Sequence, residues 1–202
     1  MRAAAPAARS ALQAMLCRSL LAAIVCIGLA AAARAADCTD ELELRDAPIE
    51  RVGTFTNMRH TEEHAYGYSV ELWRSGECRF GLFLASAGLA GDTPTGLIEN
   101  FTADVRTGAV SFLARLTMGR LTAKNLDNVM SRDVYRFSGK LRRNSMRGTI
   151  AHTNALLPQD PGESYAVVLR RSKKETDTWQ AATFREWQRE AGAILERRGP
   201  KW

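Results

Sequence analysis

From residue 51 to residue 171 apolar and polar side chains alternate with period two, in runs interrupted by Gly, Asn, Asp and Pro. The runs predict eight strands, at 51–58, 66–74, 78–85, 96–105, 109–117, 133–141, 145–153 and 164–171. One face of each is apolar. It carries Tyr66, Tyr68, Val70 and Leu72 in the second strand, Phe80, Leu82 and Leu84 in the third, and Leu97 and Phe101 in the fourth. Val110, Phe112, Ala114 and Leu116 follow in the fifth, then Tyr135, Phe137 and Leu141, Met146 and Ile150, and Tyr165, Val167 and Leu169. The opposite positions hold Ser69, Glu71, Arg79, Ser111, Arg115, Arg136, Ser138, Lys140, Arg147 and Thr149. One dry and one wet face argue for antiparallel pairing.

Short and long connections alternate along these strands. Residues 75–77, 106–108 and 142–144 have tight-turn chemistry, while 59–65, 86–95, 118–132 and 154–163 are long. In an up-and-down meander, alternate connections lie at the same end, so the long loops gather at one mouth. A sheet with one apolar face hides it, and loses its edges, by closing on itself. The expected fold is all-β: an eight-stranded antiparallel up-and-down barrel, with a two-sheet sandwich as the alternative. An interior of this size is filled by side chains or holds one small ligand.

The period changes near the C-terminus. Phe184, Trp187, Ala191, Ile194 and Leu195 share one helical stripe, and Arg185, Arg189, Glu196 and Arg197 face away. Asp177 and Gln180 resemble a capping box, and Gly199-Pro200 ends the segment. The expectation is a helix packed on the barrel wall. A sharper alternative is that Trp179, Trp187 and Trp202 contact a partner or a membrane surface.

The first residues have a different character. Arg2 and Arg9, an apolar run at 19–33 and Ala33-Arg34-Ala35 have the three parts of a cleavable secretory signal peptide. The run is shorter than a membrane-spanning helix requires. Asp37 stands where lipid attachment at Cys38 would need a small residue. The expected organisation is a signal peptide at 1–36, a β-barrel domain at 37–172 and a C-terminal helix at 173–202, in a periplasmic or secreted protein. Cleavage changes the charge. The chain has 28 Lys and Arg against 22 Asp and Glu; four of the arginines lie within 1–36 with no acid, leaving +2 in the mature chain. No basic stripe interleaved with aromatics is present, so nucleic acid is not an expected partner. Of four cysteines, Cys38 and Cys78 lie beyond the signal. In an oxidising compartment they most simply form one disulfide.

Motifs for catalysis are scarce. No Gly-x-Ser-x-Gly and no nucleotide-binding glycine loop occurs. His60-Thr61-Glu62-Glu63-His64 sets two imidazoles four apart around carboxylates, which suits a divalent metal, although the order is not that of zinc proteases. His152 and Asp92 are expected on the same rim, making His60, His64 and His152 a candidate metal set. Two polar residues interrupt apolar faces: Glu99 between Leu97 and Phe101, and His152 after Ile150. A buried carboxylate needs a partner, or a bulge that turns it outward. With Asn57, Tyr66 and Tyr68 they would furnish the few polar anchors of a ligand cavity.

The run Thr61-Glu62-Glu63-His64-Ala65-Tyr66-Gly67-Tyr68-Ser69-Val70-Glu71-Leu72-Trp73-Arg74, followed by Gly91-Asp92-Thr93-Pro94-Thr95-Gly96, resembles a group of small exported bacterial proteins of unknown function. The strand plan is similar to lipocalin- and avidin-like barrels, with Gly53-Thr54-Phe55 in the place of the lipocalin Gly-x-Trp. The resemblance implies an architecture and no activity. The leading expectation is a barrel binding an unknown small molecule at its open end, with no required cofactor. The alternatives are an interaction or inhibitor module with a cell-envelope partner, and a metal-assisted hydrolase on the histidine rim.

Overall fold

The computed structural model describes residues 38–89, 93–121, 128–173 and 179–202. The signal segment, Asp92 and Asp177 lie outside the described residues. Strands dominate: β1 (Glu50–Thr56), β2 (Arg59–His60), β3 (His64–Ser75), β4 (Cys78–Leu89), β5 (Thr95–Leu97), β6 (Glu99–Ala103), β7 (Ala109–Leu116), β8 (Arg120–Leu121), β9 (Val129–Met130), β10 (Asp133–Arg142), β11 (Ser145–Asn154) and β12 (Glu163–Arg171). Two helices flank them, α1 (Cys38–Arg45) and α2 (Phe184–Arg198). No helix among the described residues is long and apolar enough to cross a membrane.

The principal sheet runs β5-β4-β3-β1-β12-β11-β10-β7-β6, with every pair antiparallel and β2 added beside β3. Its first and last strands are chain neighbours. β5 bonds to β4, β6 bonds to β7, and only Ile98 separates them, its amide donating to the Gly81 carbonyl at 2.9 Å. The sheet is therefore a nearly closed barrel. The expected long loops do gather at one end, because β3, β10 and β12 start where β1, β4, β7 and β11 finish.

The interior is packed. Phe55, Val70, Leu72, Phe83, Phe112, Tyr135, Phe137, Met146, Ile150 and Leu169 belong to one buried cluster. Phe83 meets the rings of Tyr135 at 5.4 Å and Phe112 at 5.8 Å, and Phe112 stacks on Phe137 at 5.2 Å. A second core lies outside the barrel, where α2 sets Phe184, Trp187 and Ala191 against Trp73, Phe80 and Leu82. Ring centroids of Phe80 lie 4.9 Å from Phe184 and 4.8 Å from Trp187.

Several expectations are corrected here. Phe80, Leu82 and Leu84 face α2, and Phe83 and Ala85 face the barrel interior. Both sides of β4 are buried, so apolar alternation cannot give its parity. In the fourth predicted strand Leu97 is 41% exposed and Ile98 is buried. The register shifts between Glu99 and Thr102, and Asn100 takes a φ of 52°. This bulge turns Glu99 outward to an ion pair with Arg115. The segment before β1 holds the helix α1, and loops read as irregular contain β2 and the β8–β9 hairpin. The cap of α2 is Thr183, whose hydroxyl accepts the Glu186 amide at 3.4 Å, while the Glu186 carboxylate accepts the Ala182 amide at 2.8 Å. Trp179 and Trp187 are used in packing: Trp179 stacks on Trp73 at 5.4 Å.

Trp187→Ala should lower the unfolding free energy by about 3–5 kcal/mol, the usual cost of emptying a large aromatic site. Urea titration followed by far-UV circular dichroism checks it. A loss under 1 kcal/mol would mean that the helix contributes little to holding the wall.

Candidate functional site

At the long-loop mouth, β10 opens with Asp133, a carboxylate only 3% exposed. Such a group must be neutralised by donors. One oxygen, Oδ1, lies 2.8 Å from His152 Nε2 and 3.4 Å from the Asn154 amide nitrogen. The other, Oδ2, accepts the Met118 amide at 2.9 Å and the Ser131 hydroxyl. Ser131 Oγ in turn accepts the amides of Met118 at 3.0 Å and Gly119 at 3.2 Å. The strand ladder explains the meeting: Asp133 pairs with Leu116 on one side and Asn154 on the other, and Tyr135 pairs with His152.

The rings complete the plug. His152 stacks on Tyr135 at 4.4 Å and 11°, and Tyr135 meets Tyr68 edge-on at 6.1 Å. Burial alone would push the Asp133 carboxyl up. The hydrogen bonds from His152, Ser131 and the Met118 amide, with the imidazole's charge, outweigh burial and hold it below the ordinary value. Asp133 is thus an acceptor-only carboxylate, and His152 Nε2 carries the proton between them. Burial raises the Tyr135 phenol, helped by the negative charge of Asp133. Burial raises Tyr68 too, with the charge of Glu163 adding to it. Both phenols stay protonated at neutral pH.

This cluster is not a nucleophile triad. The carboxylate sits between the hydroxyl and the imidazole, so the imidazole does not touch Ser131 Oγ and the Ser–His–Asp order of a triad is not formed. Its chemistry is structural: it ties the loop after β7 to the starts and ends of three strands.

Beside it lies an open groove of about 200 Å³. Its apolar part is Pro94, Met118 and Met130, and its cationic rim is Arg197, Arg198 and Lys201 at the end of α2. The last residues are fastened there. Lys201 N donates to Thr117 Oγ1 at 2.9 Å, Trp202 Nε1 donates to the Leu116 carbonyl at 3.0 Å, and Lys201 Nζ donates to the Glu196 carbonyl at 2.9 Å. The guanidinium groups of Arg115 and Arg132 each lie 5.9 Å from the Trp202 ring centroid.

The residues expected from the sequence separate into three groups. Tyr68 and His152 do come together, bridged by Tyr135, but as parts of the filled plug. Tyr66 shares the face of Tyr68 yet lies beyond the closed part of the barrel, 48% exposed and stacked on His64 at 6.0 Å. Asn57 is exposed, and its Oδ1 accepts the Tyr68 amide at 2.8 Å, so it serves the strand edge. Glu99 is on the outer wall. His60 is exposed on β2, His64 begins β3, and His152 stands on β11, with β1 and β12 between β3 and β11. Three steps of about 4.8 Å separate those strands along the sheet, and no set of three potential ligands is assembled among the described residues. Reading the sequence passed over Ser131 and Asp133 as site residues. The available signal was an Asp at the first position of an inward-facing strand end, two residues after a Ser.

No family model, curated protein or solved structure matches the chain.

Asp133→Asn should cost about 2–3 kcal/mol at pH 7, since it weakens charge-assisted hydrogen bonds at a buried site. A depressed carboxyl pKa stabilises the fold above the unfolded value near 3.9, and that contribution fades as pH falls through the folded value. The gap between wild type and Asp133→Asn should therefore narrow below about pH 4. Urea melts at pH 7 and pH 3 test this, and an equal gap at both would rule out a stabilising charge.

Proposed function

We propose that this chain is an exported binding protein whose seat is the mouth groove, and that the seat takes a small amphipathic anion. One observation carries the reading: a strip of Pro94, Met118 and Met130 is edged by Arg197, Arg198 and Lys201 in an open groove of about 200 Å³. Apolar lining with a few placed polar groups is the general character of small-ligand sites. The packed interior moves the seat from the barrel's centre to its rim. In this reading β5 and β6 are two halves of one bent strand, which gives the eight-stranded up-and-down, lipocalin-like count. Export to the periplasm is supported by the basic, apolar and small-residue parts of 1–36.

The Cys38–Cys78 bridge belongs to the same reading. Cys78 does not stand as a free thiol, and α1, which starts at Cys38, shares a core with β4 through Leu42 and Phe80. A bridge across some forty residues is worth about 4 kcal/mol. Cys38→Ser and Cys78→Ser should each lose that amount, and the double variant no more than either alone. Additive losses would dismiss the bridge.

A second reading, an interaction or inhibitor module of the envelope, is favoured by the packed aromatic interior: a barrel filled by its own side chains offers its loops as its recognition surface. The histidine-rim hydrolase has no assembled ligand set among the described residues to support it.

Calorimetric titration of the mature protein with short alkyl phosphates and alkyl carboxylates tests the leading reading. Saturable binding is expected, weakened about tenfold or more in Arg197→Glu/Lys201→Glu, as loss of charge-assisted contacts implies. No saturation by any probe at millimolar concentration would overturn it.

A further inference from the structure

The opposite end of the barrel carries charge that the fold itself does not need. Between Asp133 and Asp160 the sequence has Arg136, Lys140, Arg142, Arg143 and Arg147 and no acid. All five are exposed on β10, β11 and the turn joining them. Register sets Lys140 directly opposite Arg147. Like charges facing across antiparallel strands destabilise the pair. Arg170 on β12 pairs with Ser145 and extends the same outward face. Lys140, Arg142, Ser145 and Arg147 line a shallow, open depression of about 350 Å³.

The nearby acids Glu50 and Asp104 make no ion pair with this face. Glu50 is paired with Arg74 at 2.5 Å. Asp104, in the adjacent turn, accepts the Arg106 amide at 2.8 Å, the Thr107 amide at 3.2 Å and the Thr107 hydroxyl at 2.8 Å. Among the described residues Lys140, Arg142, Arg143 and Arg147 have no ion-pair partner, and Lys140 and Arg147 repel one another.

We propose that the β10–β11 hairpin end docks on an anionic membrane surface, reading lipid phosphate headgroups. The charge is spread along a hairpin tip, and no buried polar group converges on one point, which suits a broad field of phosphates better than one compact ligand. Small residues fill the rest of this wall: Ser138, Thr149, Ala151, Ser164 and Ala166. No aromatic interleaves with the cations to stack a nucleobase. The apolar centre of a protein interface is slight too, since Val168, opposite Arg147, is the exposed large apolar side chain among these outward positions, and Val134, at the mouth end of β10, is buried. This inference is independent of the mouth groove, which lies at the other end.

Vesicle co-sedimentation of the mature protein tests it. Binding is expected to vesicles of phosphatidylcholine with about 30 mol% phosphatidylglycerol, but not to phosphatidylcholine alone, and should fall steeply with salt. Lys140→Glu/Arg147→Glu should weaken binding roughly 25-fold or more, from about fivefold per surface cation removed. Arg185→Glu/Arg189→Glu, with the same charge change on the solvent face of α2, should stay within about twofold if the hairpin sets the contact. Lys140→Glu alone should raise the melting temperature, since it turns a repulsive cross-strand pair into an attractive one, while still weakening vesicle binding. Equal weakening by the two double variants would overturn the proposal, because bulk charge alone would then account for binding. So would equal binding to both vesicle types, or binding of soluble heparin without binding to anionic vesicles.

Discussion

The bend at Ile98 is the constraint on which the rest depends. A meander with one apolar face must bring its two edges together, and here a single short stretch does so. Gly96 passes so close to the Arg115 carbonyl that a Cβ there would lie 2.2 Å from it. Ile98 then bonds to Gly81, and Asn100 turns into a positive φ before β6 continues along β7. A straight strand could not follow β4 and then β7 so closely, because sheet twist separates them. The extra residue in the bulge absorbs that difference. It also puts Glu99 outside, where its ion pair with the 43%-exposed Arg115 side chain adds less than about 1 kcal/mol. Glu99 is better understood as a consequence of closure than as a functional group.

Closure and filling together determine where function can reside. The stacked rings of Phe83, Tyr135, Phe112 and Phe137 occupy the volume in which other barrels hold a ligand. Above them Tyr68, Tyr135, His152 and Asp133 form a chain of contacts at the mouth, each member in contact with its neighbour. The two grooves formed by described residues lie on rim and wall. The rim groove owes its shape to the C-terminal tail, because Lys201 and Trp202 bind the end of β7 and hold the basic end of α2 beside Met118 and Met130.

The period-two pattern made the strand plan legible because most strands bury one face only. It failed on β4 because α2 covers the outer side of Phe80 and Leu82, so both faces are apolar. At 97–99 a bulge reverses the parity, and the one mark of it in the sequence was Glu99 on an otherwise apolar face. The candidate site was half legible. His152 stood out as a polar residue on an apolar face, and Tyr68 as a candidate polar anchor in the same interior. Asp133 did not, since its role depends on Ser131, the Met118 amide and His152, which approach it only through tertiary pairing. The groove was beyond a sequence pattern altogether: Pro94, Met118, Met130 and Lys201 belong to four separate segments.

The two ends of the barrel use charge in opposite ways. At the mouth, the buried Asp133 carboxylate is matched donor for donor, and the result is a rigid plug. At the hairpin end, Lys140 and Arg147 face each other with no carboxylate between them, so the fold carries a repulsion that one substitution would relieve. Folding alone would favour Glu at either position. A pattern that opposes stability and has no partner within the described chain is accounted for by a partner outside it, and phosphate-rich membrane is the partner whose chemistry fits a dispersed, exposed and wholly cationic face.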